Sequence, residues 1–249
     1  MTSQARHRRR WLRWTAVILL ALVVVVVGGT SIYVHLSTAP AALTLPKNAG
    51  PEPSGSSDGA TVDGVWNAGQ GSIVGWRAEQ VLIGQQSTLV GRTGRVWGSI
   101  TISGGTVSQG SFTVDMAALT SGESQSTQRS VFDVSAHPTA TLALTGPIAL
   151  GTIPLDGAVQ RYPAAGTLRV HGSTHAVHFT ISAERVGSSI SVLADINFPF
   201  VDWNISVQGV PFLADIQSPA IVEVLLNLSK GTGNLATATT PIEPSRIGQ

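Results

Sequence analysis

In several short stretches of this chain, apolar residues recur at every second position. That spacing restricts the chain to strands with one buried and one solvated face. Phe112, Val114 and Met116 fall on one side of such a stretch, with Thr113 and Asp115 on the other. Leu142 and Leu144 repeat the pattern, with Thr141, Ala143 and Thr145 opposite. Leu168 and Val170 share a face before the turn Gly172-Ser173-Thr174, and Val177, Phe179, Ile181 and Ala183 share one on the return. The composition agrees: only 12% of residues are charged and there are 27 glycines and 13 prolines, so helix formers are scarce and turns frequent.

Further strands are predicted at Gly64–Trp66, Ser72–Leu82, Ser189–Ile196 and Ala220–Leu228. Val96–Ile102 and Thr106–Met116 form a pair around Ser103-Gly104-Gly105, a tight-turn signal. Ile148–Tyr162 reads as a looser pair or loop. The 24 residues from Ala117 to Ala140 are too many for a hairpin turn. Val131, Phe132 and Val134 interrupt their polar run, which predicts a short helix or capped loop over one end of the sheet. Pro138 would end any helix there and send the chain out extended. The total is about eight strands.

Ahead of this β-rich part, residues 1–13 form a basic tail and Trp14–Leu36 an uncharged, mostly apolar run. At ~1.5 Å per residue a helix over that run spans about 30 Å, enough to cross a bilayer. The arginines before it predict a cytoplasmic N-terminus and an extracytoplasmic remainder. A cleaved signal peptide competes with this single-pass anchor. The anchor is favoured because apolar character continues through Ile32, Tyr33 and Val34 with no small-residue cleavage site close behind. Residues 37–61, rich in Pro, Gly, Ser and Ala, are expected to be a disordered linker. The folded domain is expected at 62–230, with a disordered tail over 231–249.

Several chemistries are disfavoured. The net charge is +1, and five arginines lie in the first thirteen residues, so the domain itself is mildly acidic. It lacks the basic face that nucleic acid needs. There is no cysteine, hence no disulfide and no thiolate chemistry. His171, His175 and His178 lie close together, but His175 and His178 fall on opposite faces of one strand, and no metal site is expected of them. Nothing fixes the separation of Asp115, Glu123 and Asp133, and strict serine-nucleophile motifs are absent, so no catalytic residue is expected. Gly91–Gly98 does not precede a helix, which argues against a phosphate loop.

Three blocks together resemble the YceI-like family of lipid-binding barrels. The first is Asp115, Leu119, Thr120 and Ser121 followed by His137, Pro138, Thr139, Ala140, Thr141 and Leu142. The second is GTLRVHGSTHAVHF, residues 166–179, and the third VGRTGRVWGSITI, residues 90–102, the latter similar to actinobacterial members. At residues 122–128 the paired arginines of those actinobacterial sequences are missing, and Phe132 stands alone where many members have Phe-Phe.

Alternation alone fits a barrel or a two-sheet sandwich. The resemblance implies an all-β fold, an eight-stranded antiparallel lipocalin-like barrel, here preceded by one transmembrane helix. It also implies non-catalytic binding of a long apolar lipid, an isoprenoid, quinone or acyl chain, in the lumen. The expected lining is Trp76, Trp97, Phe112, Met116, Phe132, Leu142, Leu144, Leu168, Val170, Phe179 and Ile181. No cofactor is expected beyond a bound isoprenoid or acyl lipid. The expected partners are that ligand and the membrane, with a homodimer also compatible. The alternative is a filled barrel acting as an envelope or surface interaction module.

Overall fold

The alternating segments pair into one antiparallel sheet that closes on itself. The computed structural model describes Ile18, Arg129 and residues 39–46, 62–82, 85–120, 131–151, 158–206 and 219–231. Among these, the strands are β1 (Gly64–Ala68), β2 (Ile73–Leu82), β3 (Gln85–Thr93), β4 (Val96–Ser103), β5 (Thr106–Asp115), β6 (Thr139–Leu144), β7 (Ile148–Ala149), β8 (Gln160–Val170), β9 (Ser173–Val186), β10 (Ser189–Phe198) and β11 (Ala220–Lys230). Among the described residues, helical structure amounts to little more than two 3-10 turns, Met116–Ala118 and Phe200–Trp203. No described helix is long and apolar enough to cross a membrane; the run Trp14–Leu36, apart from Ile18, lies outside the described residues.

Eight strands make the ring, in the order β1-β4-β5-β6-β8-β9-β10-β11, and β11 returns to β1 through Trp66↔Lys230 and its neighbours. Closure leaves these strands without the unpaired edges of an open sheet. One edge of β11 is shared. Its last residues pair with β1, and Ile221–Leu225 pair with β2, whose outer edge carries β3. The break between β1 and β2 stays bonded to β11: Gly69 N donates to Asn227 O at 2.8 Å, and Asn227 N donates to Ser72 Oγ at 3.0 Å.

The two predicted hairpins form, β4 with β5 and β8 with β9, where Leu168 stands opposite His175; β5 also pairs with β6, with Phe112 opposite Leu142. β3 was not expected. Its sequence QQSTLVGRT alternates poorly because it flanks the ring instead of forming part of it. The loose Ile148–Tyr162 segment resolves into the two-residue β7 and the start of β8, with 152–157 outside the described residues. Pro163 sits within β8, beyond Gly166 where pairing with β6 stops, so its missing N–H interrupts no ladder on that side. Of the predicted crossover 117–140, the described residues 131–138 lie over one end of the barrel, where Val131, Phe132 and Val134 are buried. Residues 121–128, where the paired arginines are missing, lie outside the described residues.

On the outer face one acid is nearly inaccessible. Glu223 is 2% exposed and is held by Arg77 at 3.1 Å and Arg92 at 2.7 Å. The register explains the reach. Gly75 lies between Arg92 on β3 and Glu223 on β11, and a Cβ there would stand 2.7 Å from Arg92 Cγ and 2.2 Å from Gly91 O. A stretch of the expected linker completes the cover: Arg77 donates to Pro40 O, Arg92 to Ala41 O, and Leu43 N donates to Glu223.

Burial pushes the Glu223 carboxyl up, but the hydrogen bonds and charges of Arg92 and Arg77 outweigh it and hold the group below the usual carboxylate range. Asp195, opposite Glu223, is raised by burial and by the Glu223 charge, partly offset by Arg77.

Two predictions follow from this face. Gly75→Ala should cost about 1–3 kcal/mol in chemical denaturation, the usual range for overpacking; an unchanged midpoint would contradict the close approach. A lowered folded-state pKa stabilises the fold above the ordinary glutamate range and loses that contribution as acid protonates the group. Asp195 has the opposite sign, so the test is run in an Asp195→Asn background. Stability there should fall between about pH 5 and pH 3, and Glu223→Gln should flatten that fall. Equal slopes would count against the Glu223 pairing.

Candidate functional site: an apolar lumen

Strand parity builds the interior. Even-numbered residues of β6, β8, β10 and β11 and odd-numbered residues of β9 point inward, and their side chains are almost all hydrocarbon. They enclose two cavities, of about 90 Å³ and 70 Å³. Phe112, Leu142, Val224 and Leu226 border both, so the two are neighbouring compartments of the barrel interior separated by a wall of those side chains. Each is several times the size needed for a single water, and polar groups make up very little of either wall.

The ends of the lumen differ. At one, Phe132 from the crossover stands edge-on to Trp76 with ring centroids 5.4 Å apart. Phe200 and Phe198 extend the cluster to Trp203. These rings plug that end. The opposite compartment is aliphatic, lined by Ile100, Ile102, Leu144, Ile148, Ile190 and Val192 among others, with polar groups only at its margin. There Tyr162 donates to Leu150 O at 3.1 Å, and Arg185 Nε donates to Gly187 O at 3.1 Å. Burial pushes the Tyr162 phenol and the Glu184 carboxyl above their ordinary ranges. Trp76 Nε1 is buried with no hydrogen-bond partner among the described residues. No set of nucleophile, base and oxyanion donors converges in the lumen among the described residues.

The expected lining residues mostly meet here. Phe112 and Leu142 border both compartments. Leu144, Phe179 and Ile181 line the aliphatic one, and Trp76, Met116, Phe132, Leu168 and Val170 the aromatic one. Trp97 is a correction. It is 51% exposed and points away from the lumen, because Ile100 and Ile102 fix the even residues of β4 inward. The alternation of VWGSITI carried that information, which its aromatic character obscured. The sequence reading missed the inward row of β10 and β11, from Ile190 to Phe198 and from Val222 to Leu228; β10 alternates, but in β11 the apolar Ile221 and Leu225 on the other face blur the pattern.

The histidines sort differently from their sequence order. His175 packs on Trp203 with ring centroids 4.9 Å apart, and His178 is exposed. His171 instead meets two residues of the crossover, Asp133 and His137, with donor atoms of all three within 4.8 Å of one another.

The inward and outward tryptophans give a direct check. Trp76→Ala should cost about 3–5 kcal/mol in denaturant unfolding, as large-to-small core changes do. Trp97→Ala should cost under about 1 kcal/mol, as a surface change. Equal costs would contradict the assigned parity.

Comparison with known proteins fits this architecture. Among curated proteins none matches the chain. A solved polyisoprenoid-binding domain from Saccharophagus degradans, implicated in plant cell wall breakdown, superposes with a TM-score of 0.54 at 14% identity, over 67% of this chain and 98% of that one. BcnA of Burkholderia cenocepacia gives a TM-score of 0.49 at 15% identity, over 63% and 95%. At these identities the likeness to the first is one of fold. The family model of the YceI-like domain matches residues 68–228, from the last residue of β1 to Leu228 near the end of β11, and the chain therefore belongs to the YceI-like domain family.

Proposed function

We propose that this protein binds one long apolar molecule, an isoprenoid, quinone or acyl lipid, inside the barrel and carries or stores it without chemical change. The observation that carries the reading is the two-compartment lumen, whose walls are hydrocarbon from Ile148 at one end to Trp76 at the other. The Saccharophagus degradans domain of the same fold is a polyisoprenoid-binding domain, which supports an isoprenoid as the first ligand to try. Binding would draw on apolar burial at ~25 cal/mol per Å². Filling both compartments requires Phe112 and Leu142 to turn aside, so the ligand itself would join them.

The membrane part of the proposal rests on sequence. Trp14–Leu36 anchors the chain, the arginine-rich tail stays in the cytoplasm, and the barrel works on the extracytoplasmic side. Protease added outside intact cells should then remove a C-terminal tag and spare an N-terminal one. The reverse pattern would overturn this orientation.

Native mass spectrometry of the detergent-purified full chain, followed by solvent extraction, tests the ligand. A near-stoichiometric isoprenoid or acyl lipid is expected, reduced several-fold in Leu142→Trp, which thickens the wall between compartments, and retained in Trp97→Ser. A chain that stays empty with added polyprenols and quinones would refute carriage. It would favour the other reading, a surface interaction module, which the wall at Phe112 and Leu142 already suits.

A further inference from the structure

Asp133, His137 and His171 stand together outside the lumen, where the crossover meets the turn between β8 and β9. We propose that they form a binding site for a divalent first-row metal of the zinc, cobalt or nickel type, which clasps the crossover to the barrel. Two imidazoles and a carboxylate suit such ions, and three protein ligands with an open fourth position are a familiar arrangement. Donor atoms held by one such ion at tetrahedral angles lie ~3.4 Å apart. The donors here, all within 4.8 Å of one another, need only small side-chain rotations to converge.

Five features of the backbone and side chains prepare the site. His171 Nδ1 lies 3.1 Å from Trp203 O, and a carbonyl only accepts, so Nδ1 carries the proton. Nε2 is left with its lone pair free for a metal, the outer-shell arrangement common for metal-bound histidine. Asp133 and His171 both adopt left-handed backbone, φ 41° and 51°, which is uncommon outside glycine. The Asp133 carbonyl accepts from Ala136 N and His137 N at 3.0 and 2.9 Å, fixing His137 one turn after the carboxylate. Gly172 has no side chain to displace the His137 ring; a Cβ there would stand 2.8 Å from it. The two imidazole rings meet edge-on at 5.1 Å.

The elements joined are otherwise distant in sequence. Asp133 and His137 follow Phe132, which plugs the lumen; His171 leads through Trp203 O to the second 3-10 turn, which supplies Phe200 to the same plug. A bound ion would therefore tie the crossover, the β8–β9 turn and the second 3-10 turn together at that end of the barrel. The site itself does not depend on what the lumen holds.

The test is titration of the metal-free full chain with Co²⁺ and Zn²⁺, followed by the cobalt d–d absorption and by calorimetry. One equivalent should bind and raise the thermal unfolding temperature by several degrees. Asp133→Asn and His171→Asn keep residues that tolerate left-handed backbone, and His137→Ala removes the third donor. Each should weaken affinity by about 10–100-fold or more and abolish the thermal shift. His178→Ala and the double variant His7→Ala/His35→Ala should leave both intact. No cobalt spectrum, or binding that survives in His137→Ala and His171→Asn, would overturn the site. So would binding that disappears with His7 and His35.

Discussion

Closure of the sheet is the constraint on which the other features rest. Once β11 pairs with β1, each ring strand has one face toward water and one toward an enclosed space. Residue parity then decides which side of the wall a side chain takes. Phe112 and Leu142 lie inside because their strands are in register through that pairing, and Trp97 lies outside for the same reason. A shift of one residue in any pair would move a row of hydrocarbon into water, so the lumen and the fold are specified by the same contacts.

The ring is not uniform, and its irregular edge carries the main ionic device. β11 has more length than β1 can cover, and β2 takes the remainder, with β3 beyond it. At that place an outward glutamate would meet water. Arg77 and Arg92 instead reach it across Gly75, and residues 40–43 close over the group. The arrangement ties the segment before the barrel to the strands that complete it. An ion pair this far from solvent offsets a desolvation cost, so its contribution is better described as fixing β2 and β3 against β11 than as added stability.

Much of this was legible in the sequence because period-two alternation is a direct record of burial. Phe112 to Met116, Leu142 with Leu144, and Leu168 to Ile181 announced both strands and faces. The order of three short motifs distinguished a barrel from a sandwich, which alternation could not do. β3 escaped because a strand outside the ring keeps no strict two-faced pattern. The cluster of Asp133, His137 and His171 escaped because the relevant neighbours are 34 positions apart and meet only when the crossover folds back onto the β8–β9 turn. Sequence proximity pointed to His175 and His178, which the strand sends to opposite faces.

The central claim is that the two compartments are one lumen that an apolar chain can occupy. Methyl NMR of the full chain in lipid nanodiscs, with Leu142, Leu144, Val224 and Leu226 resolved and a polyprenol added, tests it most directly. The account predicts a second, slowly exchanging set of signals for the wall residues Leu142, Val224 and Leu226 and for Leu144 together, as one ligand joins both compartments. Shifts confined to surface methyls, with these four unchanged at saturation, would contradict it.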